Sequence, residues 1–115
     1  MEKKLPSAYR RFGDAHPRVI QAYEALGDAT LTDGPLDRRT AELVKLGIAV
    51  GARLEGAVHA HVRRAREAGG SAEDIRHAIR LAATTVGFPT MMSALSWAED
   101  VLEPPGAGGA ALDRK

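Results

Sequence analysis

Two histidines, His59 and His61, lie two positions apart in the stretch "GARLEGAVHAH", in a sequence that contains no cysteine. An imidazole can ligate a metal, act as a general acid or base near neutral pH, or lie buried against a hydrogen-bond partner. The lack of cysteine excludes disulfides, thiolate metal sites and thiol redox chemistry for this sequence. What the two rings do therefore depends on the side chains that the fold brings to each of them.

The spacing of the two rings argues against a shared metal ion. Residues two apart on an α-helix point about 200° away from each other, whereas helical ligand pairs are three or four apart. No ligand-type side chain stands at either of those spacings from His61. Glu55 stands four residues before His59, but Gly56 disfavours a helix there. A metal site is therefore not expected, unless a third ligand comes from elsewhere in the fold.

Two interpretations stay open for His61. It shares a predicted helix face with Ala57, Val58 and Ala65, so it should face the neighbouring helix, which carries Glu42. In one interpretation His61 is a core histidine whose ring is satisfied by a hydrogen bond. In the other, His61 and Glu42 are an acid–base pair that lines a cavity. Whether the two side chains touch is not decided by the sequence.

The remaining charged candidates are two further histidines and a pair of arginines at a helix start. His59 is expected at the surface or at a subunit contact. His77 has two acidic residues one turn earlier and arginines beside it, which is typical of a solvated ion-pair face. Arg38 and Arg39 stand at a predicted helix start, where they are either a solvated face or a bidentate clamp for a substrate carboxylate.

The elements that position these side chains follow from the apolar pattern. Helices are predicted in "HPRVIQAYEAL", "LDRRTAELVKLGIAVGARL", "AVHAHVRRAREA", "SAEDIRHAIRLAATTVG" and "TMMSALSWAEDVL". Asp37 is expected to be an N-cap or a first-turn acid, Ser71 is the expected N-cap of a later helix, and Gly69-Gly70 is the expected helix stop. The first dozen residues are predicted to be a lead-in with at most one helical turn, and "GDATLTDGP" is predicted to be a loop. Strand-type alternation is absent.

One predicted helix is apolar almost all round. Every residue in 43–52 except Lys45 is apolar or glycine. A helix of that kind is expected to be buried on all sides. In a chain of 115 residues this requires either a central position or cover from a second subunit.

Composition sets the class of protein. Hydrophobic residues are 44% and aromatic residues 4%, so the core must be aliphatic, and the alanine-rich composition favours an all-α fold. With 16 basic and 15 acidic residues, no strong field attracts nucleic acid or an anionic membrane. No apolar stretch is long enough to span a bilayer, and the N-terminus has no signal-peptide core. A cytoplasmic protein is expected, with one domain over residues 1–103 and a disordered Pro/Gly-rich tail over 104–115.

The order of motifs over residues 17–102 resembles the carboxymuconolactone decarboxylase family, which includes the alkyl hydroperoxidase D-like proteins. The specific pieces are "LDRRTAEL", the H-x-x-x-A-x-x-x-G run from His61 to Gly69, "SAEDI" and "GFP". The resemblance implies a compact all-helical domain of about five to six helices. It also implies a homo-oligomer, commonly a trimer or a hexamer, that works without a cofactor on a small anionic organic molecule.

The peroxidase branch of this family carries a Cys-x-x-Cys pair ahead of a histidine, assisted by an upstream glutamate. The resemblance places the histidine at His61, the glutamate at Glu42 and the two thiols at Leu54 and Ala57. Thiol peroxidase activity is therefore not expected.

The decarboxylase branch needs no cysteine, and it implies loss of carbon dioxide from an unsaturated lactone acid. His61 would be the acid, Glu42 its orienting partner, and Arg38 or Arg39 the clamp, with His59 a further substrate-binding candidate. The segment before "GPLDRR" is shorter than expected of the true decarboxylase, so the substrate stays open. Two alternatives are a binding or assembly protein that has lost the thiols, and a histidine-lined metal-binding variant.

Overall fold

The computed structural model describes residues 6–103, which form six α-helices and one 3₁₀ turn and contain no strand. The helices are α1 (Ser7–Ala15), α2 (Pro17–Thr32), α3 (Arg38–Gly51), α4 (Glu55–Glu67), α5 (Ala72–Arg80) and α6 (Phe88–Leu102), with the 3₁₀ turn Leu81–Thr84 after α5. The all-α prediction is confirmed. Within the described range, no helix has the length and apolar character needed to cross a bilayer.

The chain divides into two compact units, Met1–Pro35 and Leu36–Lys115. The single domain expected over residues 1–103 stays a prediction. The tail expected at 104–115 lies outside the described residues.

The first unit consists of α1 and α2, and neither helix contains a buried residue. The hydroxyl of Tyr9 donates a hydrogen bond to Glu24 Oε2 at 2.6 Å, which ties the two helices together. The α2 side chains Val19, Tyr23 and Leu26 are exposed, although their spacing is that of one helix face. The apolar stripe that predicted an amphipathic α2 is therefore present but uncovered in the single chain.

Two predictions for the first unit were wrong. The expected lead-in is the nine-residue helix α1, and α2 continues through Gly27 into the segment predicted as a loop. A glycine inside a helix costs only about 1 kcal/mol, so it does not end a helix by itself. The hydroxyls of Thr30 and Thr32 donate back to the carbonyls of Gly27 and Asp28 at 3.0 and 3.1 Å, as threonines do within a helix.

The core of the second unit lies between α3, α4, α5 and α6, which pack on one another. Its fully buried aliphatic side chains are Leu46, Val50, Val58, Val62, Ile75 and Ile79. The other buried members of the core are Met91 and four alanines, Ala49, Ala65, Ala94 and Ala98. Small residues at the contacts let the helix axes approach closely, so a chain with few aromatic residues can still fill its interior.

Hydrogen-bonded caps set the starts of α3 and α5, as predicted. Asp37 Oδ1 accepts from the backbone N–H of Thr40 at 2.8 Å. Ser71 and Asp74 form a reciprocal capping box, with both side-chain-to-backbone distances at 2.9 Å. These caps fix where each helix begins, and so which of its side chains face the core.

The turn between α4 and α5 requires glycine at both of its central positions. Gly69 has φ +98°, in the left-handed region that side chains disfavour. A Cβ on Gly70 would lie 2.9 Å from the carbonyl oxygen of Ala65, which is closer than van der Waals contact allows. The predicted helix stop is confirmed.

Burial of α3 on all sides was a wrong prediction for the single chain. Leu46 is 0% exposed, but Val44 is 47% and Ile48 is 65% exposed. The packing partners within the unit cover only one side of α3, so an apolar strip stays uncovered. Cover by a second subunit, the other alternative, stays a prediction.

The two sides of α3 give a matched pair of substitutions. Leu46→Ala removes a fully buried side chain and is expected to lower the free energy of unfolding by about 2–5 kcal/mol. Ile48→Ala removes an exposed side chain and is expected to cost less than about 1 kcal/mol at low protein concentration. Urea unfolding of both variants at several protein concentrations measures this. Equal losses at every concentration would contradict the described burial, whereas a loss at Ile48 that grows with concentration would place it in a subunit contact.

Candidate functional site

Glu42 is a charged residue inside an aliphatic core. It lies one turn into α3 and is 2% exposed. Among the residues that the structure describes, it is the only charged side chain that is buried. An ionised or polar group removed from water costs several kcal/mol unless a hydrogen bond satisfies it. The surroundings of Glu42 therefore have to supply a partner.

His61 on α4 is that partner. Its Nδ1 lies 2.9 Å from Glu42 Oε1, across the packed α3–α4 contact. The connection at residues 52–54 turns the chain so that the first half of α3 meets the middle of α4. The contact that the sequence left open is therefore made.

The contact with Glu42 distinguishes the two ring nitrogens of His61. A carboxylate oxygen only accepts, so with Glu42 as a carboxylate the tautomer that satisfies the contact has Nδ1–H of His61 donating to Glu42 Oε1. This leaves Nε2 as the ring atom that can exchange a proton with another molecule. The His61 side chain is 13% exposed, so the ring is mostly shielded from water but not sealed from it.

Burial dominates the electrostatics of His61. Desolvation lowers its pKa below the usual 6.5, and the hydrogen bond and charge of Glu42 oppose that shift without reversing it. The positive charges of Lys45 and Arg64 lower the pKa further. The folded protein thus favours the neutral ring, and the protonated ring is a stronger acid than free imidazole.

Lys45 and Arg64 are the cations beside the site that the sequence reasoning did not assign. Each stands three residues after a site residue on the same helix, Lys45 after Glu42 and Arg64 after His61. The i, i+3 spacing places such residues on one helix face. That spacing was readable in the sequence once the Glu42–His61 contact was assumed.

The two predicted clamp arginines are placed differently from each other. Arg38 is exposed and lies one turn before Glu42 on the same face of α3. Arg39 lies 4.0 Å from Asp74 Oδ2, so its guanidinium points towards α5. The structure therefore joins Arg39 to a surface carboxylate instead of the Glu42–His61 pair.

His59 is also drawn to a different carboxylate. Its Nε2 lies 3.0 Å from Asp100 Oδ2 on α6. Asp100 had no signal in the sequence, since it stands 41 residues away from His59 and only the fold brings it near. His59 and His61 thus serve two separate faces of α4, as their spacing predicts.

A cavity of about 520 Å³ lies on another side of α3. Thr40, Val44 and Gly47 line it, together with side chains of α5 and of the 3₁₀ turn. These α3 residues point away from Glu42, and neither Glu42 nor His61 lines the cavity. The buried pair and this cavity are therefore separate features of the second unit.

Comparison with known proteins decides the family. The family description that matches residues 17–100 is the carboxymuconolactone decarboxylase family. The chain belongs to that family. The match spans all of α2 to α5 and most of α6, including both members of the Glu42–His61 pair.

Relatives of this carboxymuconolactone decarboxylase family member extend the comparison. An uncharacterized protein of Haemophilus influenzae is 36% identical over 61 residues, which are 53% of this chain and 54% of that protein. The match thus spans about half the length of that relative. The uncharacterized protein 4 in cox locus of Paracoccus denitrificans is 32% identical over 82 residues, 69% of this chain and 74% of that protein.

A solved structure with the same fold is that of an apo carboxymuconolactone decarboxylase family protein from Legionella pneumophila. It superposes with a TM-score of 0.74 at 23% identity, covering 85% of this chain and 88% of that one. This likeness supports the fold.

This family member has no thiol at the positions that its resemblance to the peroxidase branch marks. Leu54 is exposed at the start of α4, and Ala57 is half-buried in its first turn. The contact between Glu42 and His61 is present, whereas the sequence has no cysteine to act as the nucleophile of thiol chemistry.

The lowered pKa of His61 predicts a pH dependence of stability. Since the unfolded chain binds the proton more readily than the folded chain, the free energy of unfolding should fall as the pH drops from about 7.5 through 6.5. His61→Asn can keep a donor to Glu42 but has no titrating ring, so this part of the loss should vanish.

The titration itself can be followed by NMR on the imidazole Cε1–H signals. The midpoint of His61 should lie below 6.5. A midpoint above 6.5 would mean that the Glu42 charge outweighs burial, and would contradict the electrostatics described here.

Proposed function

We propose that this protein is a cofactor-free acid–base enzyme that decarboxylates a small anionic lactone or a related organic acid. The observation that carries the proposal is the 2.9 Å contact between His61 Nδ1 and Glu42 Oε1, with Glu42 buried. Membership of the carboxymuconolactone decarboxylase family supports the choice of reaction.

The pair has the parts that proton transfer needs. Glu42 holds one ring nitrogen and so orients His61, and it stabilises the imidazolium when the ring is protonated. The free Nε2 of His61 delivers the proton. Because the His61 ring is largely shielded from water, its interactions with charged groups are stronger than they would be in bulk solvent.

In the proposed decarboxylation, the electron pair of the broken carbon–carbon bond flows into the lactone ring. The bond between the carboxylate carbon and the lactone ring breaks, carbon dioxide leaves, and the electron pair moves into the ring system as a dienolate. His61 Nε2–H then donates its proton to that carbanion, and the neutral ring takes a new proton from water. No electron acceptor or cofactor is consumed.

The positive charges around His61 support an anionic substrate. Lys45 and Arg64 lie close enough to affect its titration. A carboxylate bound between such cations would be held next to Nε2, and its charge would favour the protonated ring. Arg38, on the same face of α3 as Glu42, stays a proposed clamp, and Arg39 is less suited because Asp74 engages it.

We further propose that the protein is a homo-oligomer, trimeric or hexameric. The exposed apolar residues of α3, Val44 and Ile48, support an uncovered contact surface. The expected cytoplasmic location remains part of this proposal.

A second candidate is a non-catalytic binding or assembly protein of the same family. Its support is the position of the cavity of about 520 Å³, which is lined by α3 and α5 and not by His61 or Glu42. In that case the Glu42–His61 contact would be a structural hydrogen bond inside the core.

The test is carbon dioxide release from carboxymuconolactone and from a panel of related lactone and β-keto acids. The wild type should release carbon dioxide from at least one of them. His61→Asn should lower kcat by about 10²-fold or more, because the amide keeps the contact to Glu42 but cannot transfer a proton. His16→Ala, which removes an exposed imidazole in the first unit, is the matched control and should keep the wild-type rate.

The oligomeric state and circular dichroism of each variant accompany the rates. Release by the wild type that persists within about threefold in a folded His61→Asn variant would remove His61 from the mechanism. No release by the wild type from any member of the panel would overturn the decarboxylase proposal and favour the binding or assembly protein.

A further inference from the structure

Three side chains of metal-ligand type meet beside the face of α4 opposite His61. Glu55 and His59 stand four residues apart on α4, and Asp100 comes from α6. One ligand atom from each lies within 4.8 Å of the other two. We propose that these three residues form a binding site for a divalent transition-metal ion, with Zn²⁺ as the ion of best fit.

The structure overturns the reason for expecting no metal here. Helix α4 begins at Glu55 and includes Gly56, so Glu55 and His59 have the i, i+4 spacing of helical ligand pairs. Asp100 is the third ligand from elsewhere in the fold, and its Oδ2 already lies 3.0 Å from His59 Nε2. The three ligands thus come from two helices that pack directly against each other.

The distances suit a small ion. Zinc bonds to nitrogen and oxygen of about 2.0–2.2 Å in a tetrahedron place neighbouring ligand atoms about 3.3 Å apart. The His59–Asp100 pair is already near that separation. Both carboxylates are exposed, so a change of side-chain rotamer can bring Glu55 closer to the other two ligands without moving the backbone.

The ligand types select the class of metal. One imidazole with two carboxylates is a donor set for Zn²⁺ and its first-row neighbours, whereas Mg²⁺ and Ca²⁺ prefer oxygen alone. Three protein ligands leave the fourth position of the tetrahedron for water or another molecule. The exposure of both carboxylates keeps that position open to solvent.

A second histidine of the chain provides an internal control. Glu73 and His77 on α5 repeat the i, i+4 spacing of Glu55 and His59. Glu73 is engaged by Arg80 at 2.9 Å, and no third ligand completes a group there within the described residues. Substitution of His77 therefore removes an exposed helical histidine of the same kind without touching the proposed site.

The experiment is a titration of the metal-free full chain with Zn²⁺ by isothermal calorimetry. The wild type should bind about one ion per chain. His59→Ala and Asp100→Asn should each weaken binding at least about tenfold, since even loss of an outer-shell partner costs 10–100-fold. His77→Ala should bind within twofold of the wild type.

The single tryptophan gives a second readout. Trp97 stands three residues before Asp100 on α6, within reach of a paramagnetic ion at the site. Co²⁺ should quench its fluorescence in the wild type and in His77→Ala, and an excess of Zn²⁺ should reverse the quenching. This readout remains decisive if one of the ligand variants fails to fold.

Two results would overturn the proposal. One is wild-type binding of Zn²⁺ weaker than about 1 mM, which would leave the three residues as an ion-pair cluster. The other is an equal loss of affinity in His77→Ala and in folded His59→Ala, which would show unspecific binding to surface histidines.

Discussion

A carboxylate placed among aliphatic side chains imposes the arrangement of α3 and α4. Glu42 stays buried only while His61 donates to it, so any shift of one helix along the other would leave a charge without a partner. Replacement of such a buried pair by apolar side chains of similar volume is often neutral or stabilising, whereas removal of one member costs about 3–5 kcal/mol. Stability alone is therefore a weak reason for the pair to exist, which supports the proposed role of His61 in proton transfer.

The helical period of α4 places His59 and His61 on opposite faces, where their surroundings differ. His61 faces the core and the carboxylate of α3, and His59 faces α6 and the carboxylate of Asp100. The ring inside is shielded and favours its neutral form, while the ring outside stays accessible to solvent and to ions. Two histidines that look alike in the sequence thus differ in environment because they are two positions apart, not three or four.

The sequence predicted most of the second unit because its signals are local. The caps at Asp37 and Ser71 and the stop at Gly69-Gly70 act within one turn of the chain. The first unit was mispredicted because Gly27 and the threonines after it resemble a turn, yet a helix tolerates them. Asp100 and the preference of Arg39 for Asp74 could not be predicted, since both depend on contacts between residues far apart in the chain. The helix pattern offered Glu42 as a candidate partner of His61, and the family resemblance pointed to the same two residues.

The joint between α3 and α4 spans only residues 52–54. Arg53 there adopts φ 58°, at a cost on the order of 1 kcal/mol for a residue with a side chain. Its Nε donates to Thr90 Oγ1 at 3.1 Å, which links the joint to the first turn of α6. Because each residue of an α-helix turns it by about 100°, one residue inserted into α4 between the joint and His59 would swing both histidines away from their carboxylates, and two would exchange their directions. The number of α4 residues between the joint and His59 is therefore under tighter constraint than their identity, and insertions there should be far less tolerated than substitutions.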